Sequence, residues 1–160
     1  MLQCEFNTLK SHVLVVDDFD SVRNFVVCLL SGQGYEATGA ADAVEAIEML
    51  SNRHFDLLVT DIQMPGMNGF ALARASKEMS PDTHVVLMTG APEVGADEWT
   101  DACGRPANAR YPVDGIWMKP LDARAVIDSV RGLVPVSTRR LSNPGSGSTA
   151  AAFPADRPPT

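Results

Sequence analysis

Four short apolar runs, each ending in a residue that can do chemistry, constrain this 160-residue chain more than any other feature. His12 to Val16 leads into Asp17-Asp18. Phe55 to Val59 leads through Thr60 into Asp61. Val85 to Met88 leads into Thr89, and Ile116 to Met118 into Lys119-Pro120. Three carboxylates, a hydroxyl and an ammonium therefore stand at four strand ends. In an open parallel sheet, ligands bind outside the carboxyl ends of the strands, so these groups are expected to converge on one site.

Between these runs the apolar spacing changes to that of helices. His12–Val16 reads as a buried strand, followed by a helix that Asp20 or Ser21 would cap. Val22, Val26, Leu29 and Leu30 recur along it, and Gly32 and Gly34 end it. Tyr35–Thr38 reads as a shorter strand, and Asp42–Leu50 as a helix with Val44, Ile47 and Leu50 inward. Phe55–Thr60 is the third strand, and Phe70–Met79 a helix stopped near Pro81. Val85–Thr89 is the fourth strand, Glu93–Ala102 a polar helix, and Ile116–Met118 the fifth strand. Asp122–Leu133 is the last helix, carrying Val126, Ile127 and Val130. Such alternation predicts right-handed crossovers and a parallel sheet covered on both faces.

Composition sets the boundaries: an N-terminal extension over 1–9, one folded domain over 10–134, and a tail over 135–160. The tail is rich in Pro, Ser, Gly, Thr and Ala, with Phe153 its only aromatic. It cannot bury enough apolar surface to offset its ordering entropy, so it is expected to be disordered. No apolar stretch is long enough to span a bilayer, so no membrane insertion is expected. A secretory signal pattern is absent from the N-terminus. Cys4, Cys28 and Cys103 are odd in number and widely spaced, which fits neither a disulfide framework nor a zinc site and suggests a reducing cytoplasm. Cys28 reads as a small buried hydrophobe on the apolar face of the first helix. The net charge of −7 argues against a nucleic-acid partner.

Three carboxylates at one cleft repel one another and attract a cation. Hard oxygen donors with few protein contacts suit Mg²⁺, which keeps several waters and is readily shared with a phosphate. A carboxylate is also a competent nucleophile toward phosphorus. Charge developing on a transferring phosphoryl group would be stabilised by the metal, the Thr89 hydroxyl and the Lys119 ammonium. Gly90 keeps that edge open to a phosphate, and Pro65-Gly66 turns the chain after Asp61. Taken singly, Asp17-Asp18 could be only a helix cap and Thr89-Gly90 only a strand exit. Their joint occurrence, each at the end of its own strand, is what favours a site.

Asp17-Asp18, Asp61 within Asp-x-x-Met-Pro-x-Met-x-Gly, Met88-Thr89-Gly90 and Lys119-Pro120 together resemble the receiver domain of two-component response regulators. The resemblance covers about residues 10 to 134. It implies a flavodoxin-like (βα)5 doubly wound parallel sheet with strand order 2-1-3-4-5. It also implies that Asp61 is the phosphoacceptor. By the same resemblance Asp18 ligates Mg²⁺ directly, Asp17 acts mostly through water, and the Gln63 carbonyl is a further ligand. Thr89 matches the switch hydroxyl and Lys119 the phosphate-contacting lysine. The phosphoryl donor would be a histidine kinase or a histidine phosphotransfer protein. A downstream protein would read the result, and a homodimer is compatible. Because no output domain follows Leu133, a stand-alone cytoplasmic receiver is expected, one that resets by hydrolysis and is not a turnover enzyme.

Two positions depart from the family pattern. Three residues before the lysine the family usually carries Tyr or Phe, and here stands Ile116. Trp117 reads as a packing or surface residue, because strand alternation sends Ile116 and Met118 to the other face. The stretch between Thr89 and Lys119 is also several residues longer than usual. It reads as a surface loop or a partner-docking element using Tyr111 or Trp117. Three rivals remain. A flavodoxin-type carrier would need Gly, Ser or Thr where Asp17-Asp18 stand. A Mg²⁺-dependent phosphatase would need an acid at position 63, where Gln63 stands. A receiver binding partners regardless of phosphorylation is opposed by the intact motif.

Overall fold

The computed structural model describes residues 10–90 and 113–136. Five strands are present: β1 (His12–Val16), β2 (Glu36–Ala40), β3 (Leu57–Asp61), β4 (His84–Thr89) and β5 (Gly115–Met118). Among the described residues four helices accompany them: α1 (Asp20–Gly32), α2 (Ala43–Asn52), α3 (Gly69–Met79) and α4 (Ala123–Leu133). All strand pairs are parallel and the order is β2-β1-β3-β4-β5, the expected flavodoxin-like arrangement. The expected Glu93–Ala102 helix and the long loop fall outside the described residues, as does the tail from Ser137. Pro135 and Val136, which composition placed in the tail, belong to the same compact unit as the sheet. They are held where the Tyr35 hydroxyl donates to the Val134 carbonyl (2.6 Å) and Ser11 Oγ reaches the Pro135 carbonyl (3.5 Å).

Alternation along the central strands divides the core in two. Leu14, Val16, Leu58, Val85 and Leu87 pack under α2 and α3 with Phe55, Phe70 and Leu72. Val13, Val15, Leu57, Val59, Val86 and Met88 pack under α1 and α4 with Val26, Leu30, Val126 and Val130. Both faces are therefore apolar and the central strands read as continuous hydrophobic runs. On β5 the same alternation separates neighbours: Ile116 packs with the first cluster and Trp117 with the second. Trp117 is buried, and its indole N–H donates to Ser129 Oγ at 3.0 Å, which anchors α4 to the edge strand. It is thus a packing residue.

Three local expectations are corrected. Neither Asp20 nor Ser21 caps α1. Phe19 stands at the N-cap without a side-chain bond, and Asp20 sits in the first turn. Asp20 is already the first helical residue, and its carboxylate pairs with Arg23 one turn on instead of taking a backbone N–H at the helix start. Cys28 is exposed. Val26 and Leu30 define the buried stripe of α1, and Cys28 lies two residues, about 200°, from Val26. Val44 is 76% exposed. The buried stripe of α2 is Ala43 and Ala46 with Ile47 and Leu50 beside them, and small residues let that helix sit close to the sheet. Elsewhere caps follow the sequence: Asp42, Asn68 and Asp122 accept the N–H groups of Glu45, Ala71 and Ala125.

Candidate functional site

Register brings the strand ends level. Val16 is paired with Thr60, Asp61 with Met88, and Thr89 with Met118. The next residues of β1 and β5, Asp17 and Lys119, therefore emerge beside Asp61 and Thr89 at one edge. The connections are backbone hydrogen bonds: Asp17 N–H to Ala40 carbonyl, Ile62 N–H to Met88 carbonyl, and Lys119 N–H to Thr89 carbonyl. The Lys119–Pro120 peptide is cis.

Ligand atoms of Asp17, Asp18 and Asp61 all lie within 4.8 Å of one another. Asp17 and Asp61 are buried and Asp18 is exposed. Lys119 Nζ bridges the two buried acids, 2.9 Å from Asp17 Oδ2 and 3.4 Å from Asp61 Oδ2. Asp17 Oδ1 is held by the Phe19 N–H, while Asp61 Oδ1 takes a long Gln63 N–H contact at 3.4 Å. Burial pushes the Asp61 carboxyl above the ordinary carboxylate range. Lys119 opposes that rise, and the nearby Asp17 charge adds to it. Burial alone would lower the Lys119 ammonium, but its bond to Asp17 and the charge of Asp61 leave it raised, so it stays protonated. Among the described residues Lys119 is the one ammonium paired at this cleft, on Asp17 and Asp61, so three acids meet one positive side chain there.

That donor set fits a hard divalent cation. Opposed oxygens across an octahedral Mg²⁺ stand about 4 Å apart, given metal–oxygen distances of about 2.1 Å, so carboxylates already this close need only small rotations. Thr89 is buried at the same edge. Sequence reasoning therefore named residues that the fold does bring together.

In the sequence Gly69 is only the end of the Asp61 motif, yet it sets the site's floor. A Cβ there would clash with the Asp61 carbonyl oxygen and lie 2.9 Å from Ile62 Cα. Only glycine lets α3 start this close to the chain leaving Asp61. Its fixed spacing after Asp61 was the available signal, but close approach of backbone to backbone is a tertiary fact. Gly90, expected to keep the edge open, is not sterically demanded by the described residues, since a Cβ there would meet Lys119 Cδ at an ordinary 3.8 Å.

An acidic trio and a lysine at the carboxyl edge of a 2-1-3-4-5 parallel sheet define a receiver-type site. Residues 13–104, more than half of the chain, match the response regulator receiver domain family. The response regulator receiver protein CpdR of Brucella abortus is 31% identical over 122 residues, covering 76% of this chain and 95% of that protein. The chemotaxis protein CheY of Pseudomonas aeruginosa is 33% identical over 119 residues, covering 74% of this chain and 91% of that protein. Among solved structures, the response regulator protein TrrA of Thermotoga maritima in complex with Mg(2+)-BeF aligns with a TM-score of 0.65 and 25% identity, covering 78% of this chain and 99% of that one. The chain belongs to the response regulator receiver domain family. Among the described residues no helix is long and apolar enough to cross a membrane.

Proposed function

We propose that this chain is a single-domain response regulator of a two-component system, working in the cytoplasm. Asp61 accepts a phosphoryl group from the phosphohistidine of a histidine kinase or a histidine phosphotransfer protein. The observation that carries this reading is the trio Asp17, Asp18 and Asp61 within 4.8 Å, with Lys119 bridging the two buried members. In transfer, an Asp61 carboxylate oxygen bonds to phosphorus while the phosphorus–nitrogen bond breaks, and the electron pair leaves with the imidazole. Asp17, Asp18, Asp61 and the Gln63 carbonyl would hold Mg²⁺. When bound, the ion neutralises charge on the phosphoryl oxygens. Lys119, kept protonated by its acid partners, supplies a second positive charge, and the Thr89 hydroxyl a hydrogen bond. Attack of water on the acyl phosphate resets Asp61, so the protein is a phosphoacceptor and not an enzyme turning over an external substrate. Phosphorylation shifts a pre-existing equilibrium that a downstream protein reads, and a homodimer is compatible with this. Gln63 in place of an acid argues against a phosphatase.

The test is intact-protein mass after incubation with acetyl phosphate. Wild type with Mg²⁺ should gain one phosphoryl group. Asp61→Asn, or wild type with chelator, should gain none. An unmodified wild type that also fails to bind beryllofluoride would make the chain a binding module independent of phosphorylation.

A further inference from the structure

Arg23 has no part in the reading above, yet it reaches the acidic pair. It lies on the first turns of α1 with its side chain largely covered, 16% exposed. One guanidinium nitrogen, Nη1, donates to the Asp17 carbonyl at 2.7 Å, and Nη2 pairs with Asp20 Oδ1. The stem crosses Gly39 of β2, where a Cβ would stand 3.0 Å from Arg23 Cδ and 3.1 Å from Cγ. A larger side chain at position 39 would displace the arginine.

We propose that Arg23, admitted by Gly39, is a positioning residue for the metal-binding carboxylates. This rests on the reading that Asp17, Asp18 and Asp61 hold Mg²⁺. The Asp17 carboxylate is held directly, by the Phe19 N–H and by Lys119. Asp18 is exposed, so its direction is set by its backbone and not by packing. The Asp17 carbonyl belongs to the peptide that joins the two acids. Fixing that carbonyl fixes the peptide plane, and with it the line along which Asp18 leaves the chain. A guanidinium suits the task because its planar fork serves the carbonyl and Asp20 together and never loses its charge. Loss of a partner that orients a metal ligand from outside typically lowers metal affinity by about tenfold to a hundredfold.

The test is Mg²⁺ affinity by titration calorimetry on the full chain, for wild type, Arg23→Ala, Gly39→Val and the double variant. Arg23→Ala should weaken Mg²⁺ on the order of tenfold. Gly39→Val should weaken it in the same direction, and the double variant should bind no worse than Arg23→Ala, because Gly39 acts through Arg23. In metal-free protein the Asp18 amide nitrogen signal should move in both single variants, since it reports the hydrogen bond on the preceding carbonyl. Should Arg23→Ala fail to fold, Gly39→Val decides alone, because valine is at home in an edge strand. Wild-type affinity in the folded variants would overturn the inference and leave the proposed function standing. A wild type that binds no Mg²⁺ would overturn both.

Discussion

Asp61 and Asp114 sit at opposite ends of the same sheet, and burial pushes both carboxyls upward. Their outcomes are opposite. At the amino end, Asp114 accepts the Val85 N–H at 2.8 Å and faces Lys77 at 3.4 Å and His84 at 3.5 Å. Those partners more than offset burial and hold its carboxyl below the ordinary range. Nearby, Glu36 faces both Arg53 and His12, and Asp56 accepts the His12 N–H. At the carboxyl end, Asp61 shares a single lysine with a second buried acid and is left raised. One end of the sheet matches its charges and contributes stability. Among the described residues the other end leaves negative charge unmatched, which costs stability and suits a cation.

The largest effect is expected at Gly69. Gly69→Ala should cost about 3 kcal/mol, because the added methyl meets backbone that cannot step aside. A urea midpoint equal to wild type would show that α3 does not press on the Asp61 chain.

Asp114→Ala should cost about 2 kcal/mol at neutral pH, since it strands the Val85 N–H along with Lys77 and His84. Asp114 has a lowered folded pKa. Its contribution is therefore complete above the ordinary carboxylate value and is lost as pH falls through the folded value. Urea unfolding of both proteins across that range should show the gap closing in acid. A gap independent of pH would mean that the clamp works by packing and not by charge.

The smallest effect has the opposite sign. Asp61→Asn should stabilise the metal-free protein at neutral pH, by less than Asp114→Ala destabilises it. Because the folded pKa of Asp61 is raised, its favourable contribution is present below the ordinary carboxylate value and lost as pH rises through the folded value. The advantage of the variant should therefore grow with pH. Saturating Mg²⁺, which stabilises wild type through binding, should erase or reverse it. A variant no more stable than wild type in chelator would remove the claim that this end of the sheet is mismatched.

Much of the site was legible because strand periodicity is strict. Once β1, β3, β4 and β5 are recognised as buried runs, the next polar residue of each must appear at the same edge. Helix faces were less legible. Val44 looked inward because apolar residues recur near it, but Ala43 and Ala46 won the sheet by being small. Cys28 failed in the same way, since its apolar neighbours spread over more than half of the helix surface. Asp20 does not cap α1 because the helix already includes it and its carboxylate is taken by Arg23 one turn on, a pairing that residue type alone does not reveal.

The sequence by itself determined the order of elements, the parallel sheet and the acids, hydroxyl and lysine at its carboxyl edge, since these follow from periods of 2 and 3.6 and from residue chemistry. Only the tertiary structure decided that Lys119 would bridge Asp17 and Asp61, that α3 would demand glycine at 69, and that Arg23 would reach the Asp17 carbonyl across Gly39. Those depend on distances between segments far apart in the chain, and pattern along one strand carries no information about how close another segment will come.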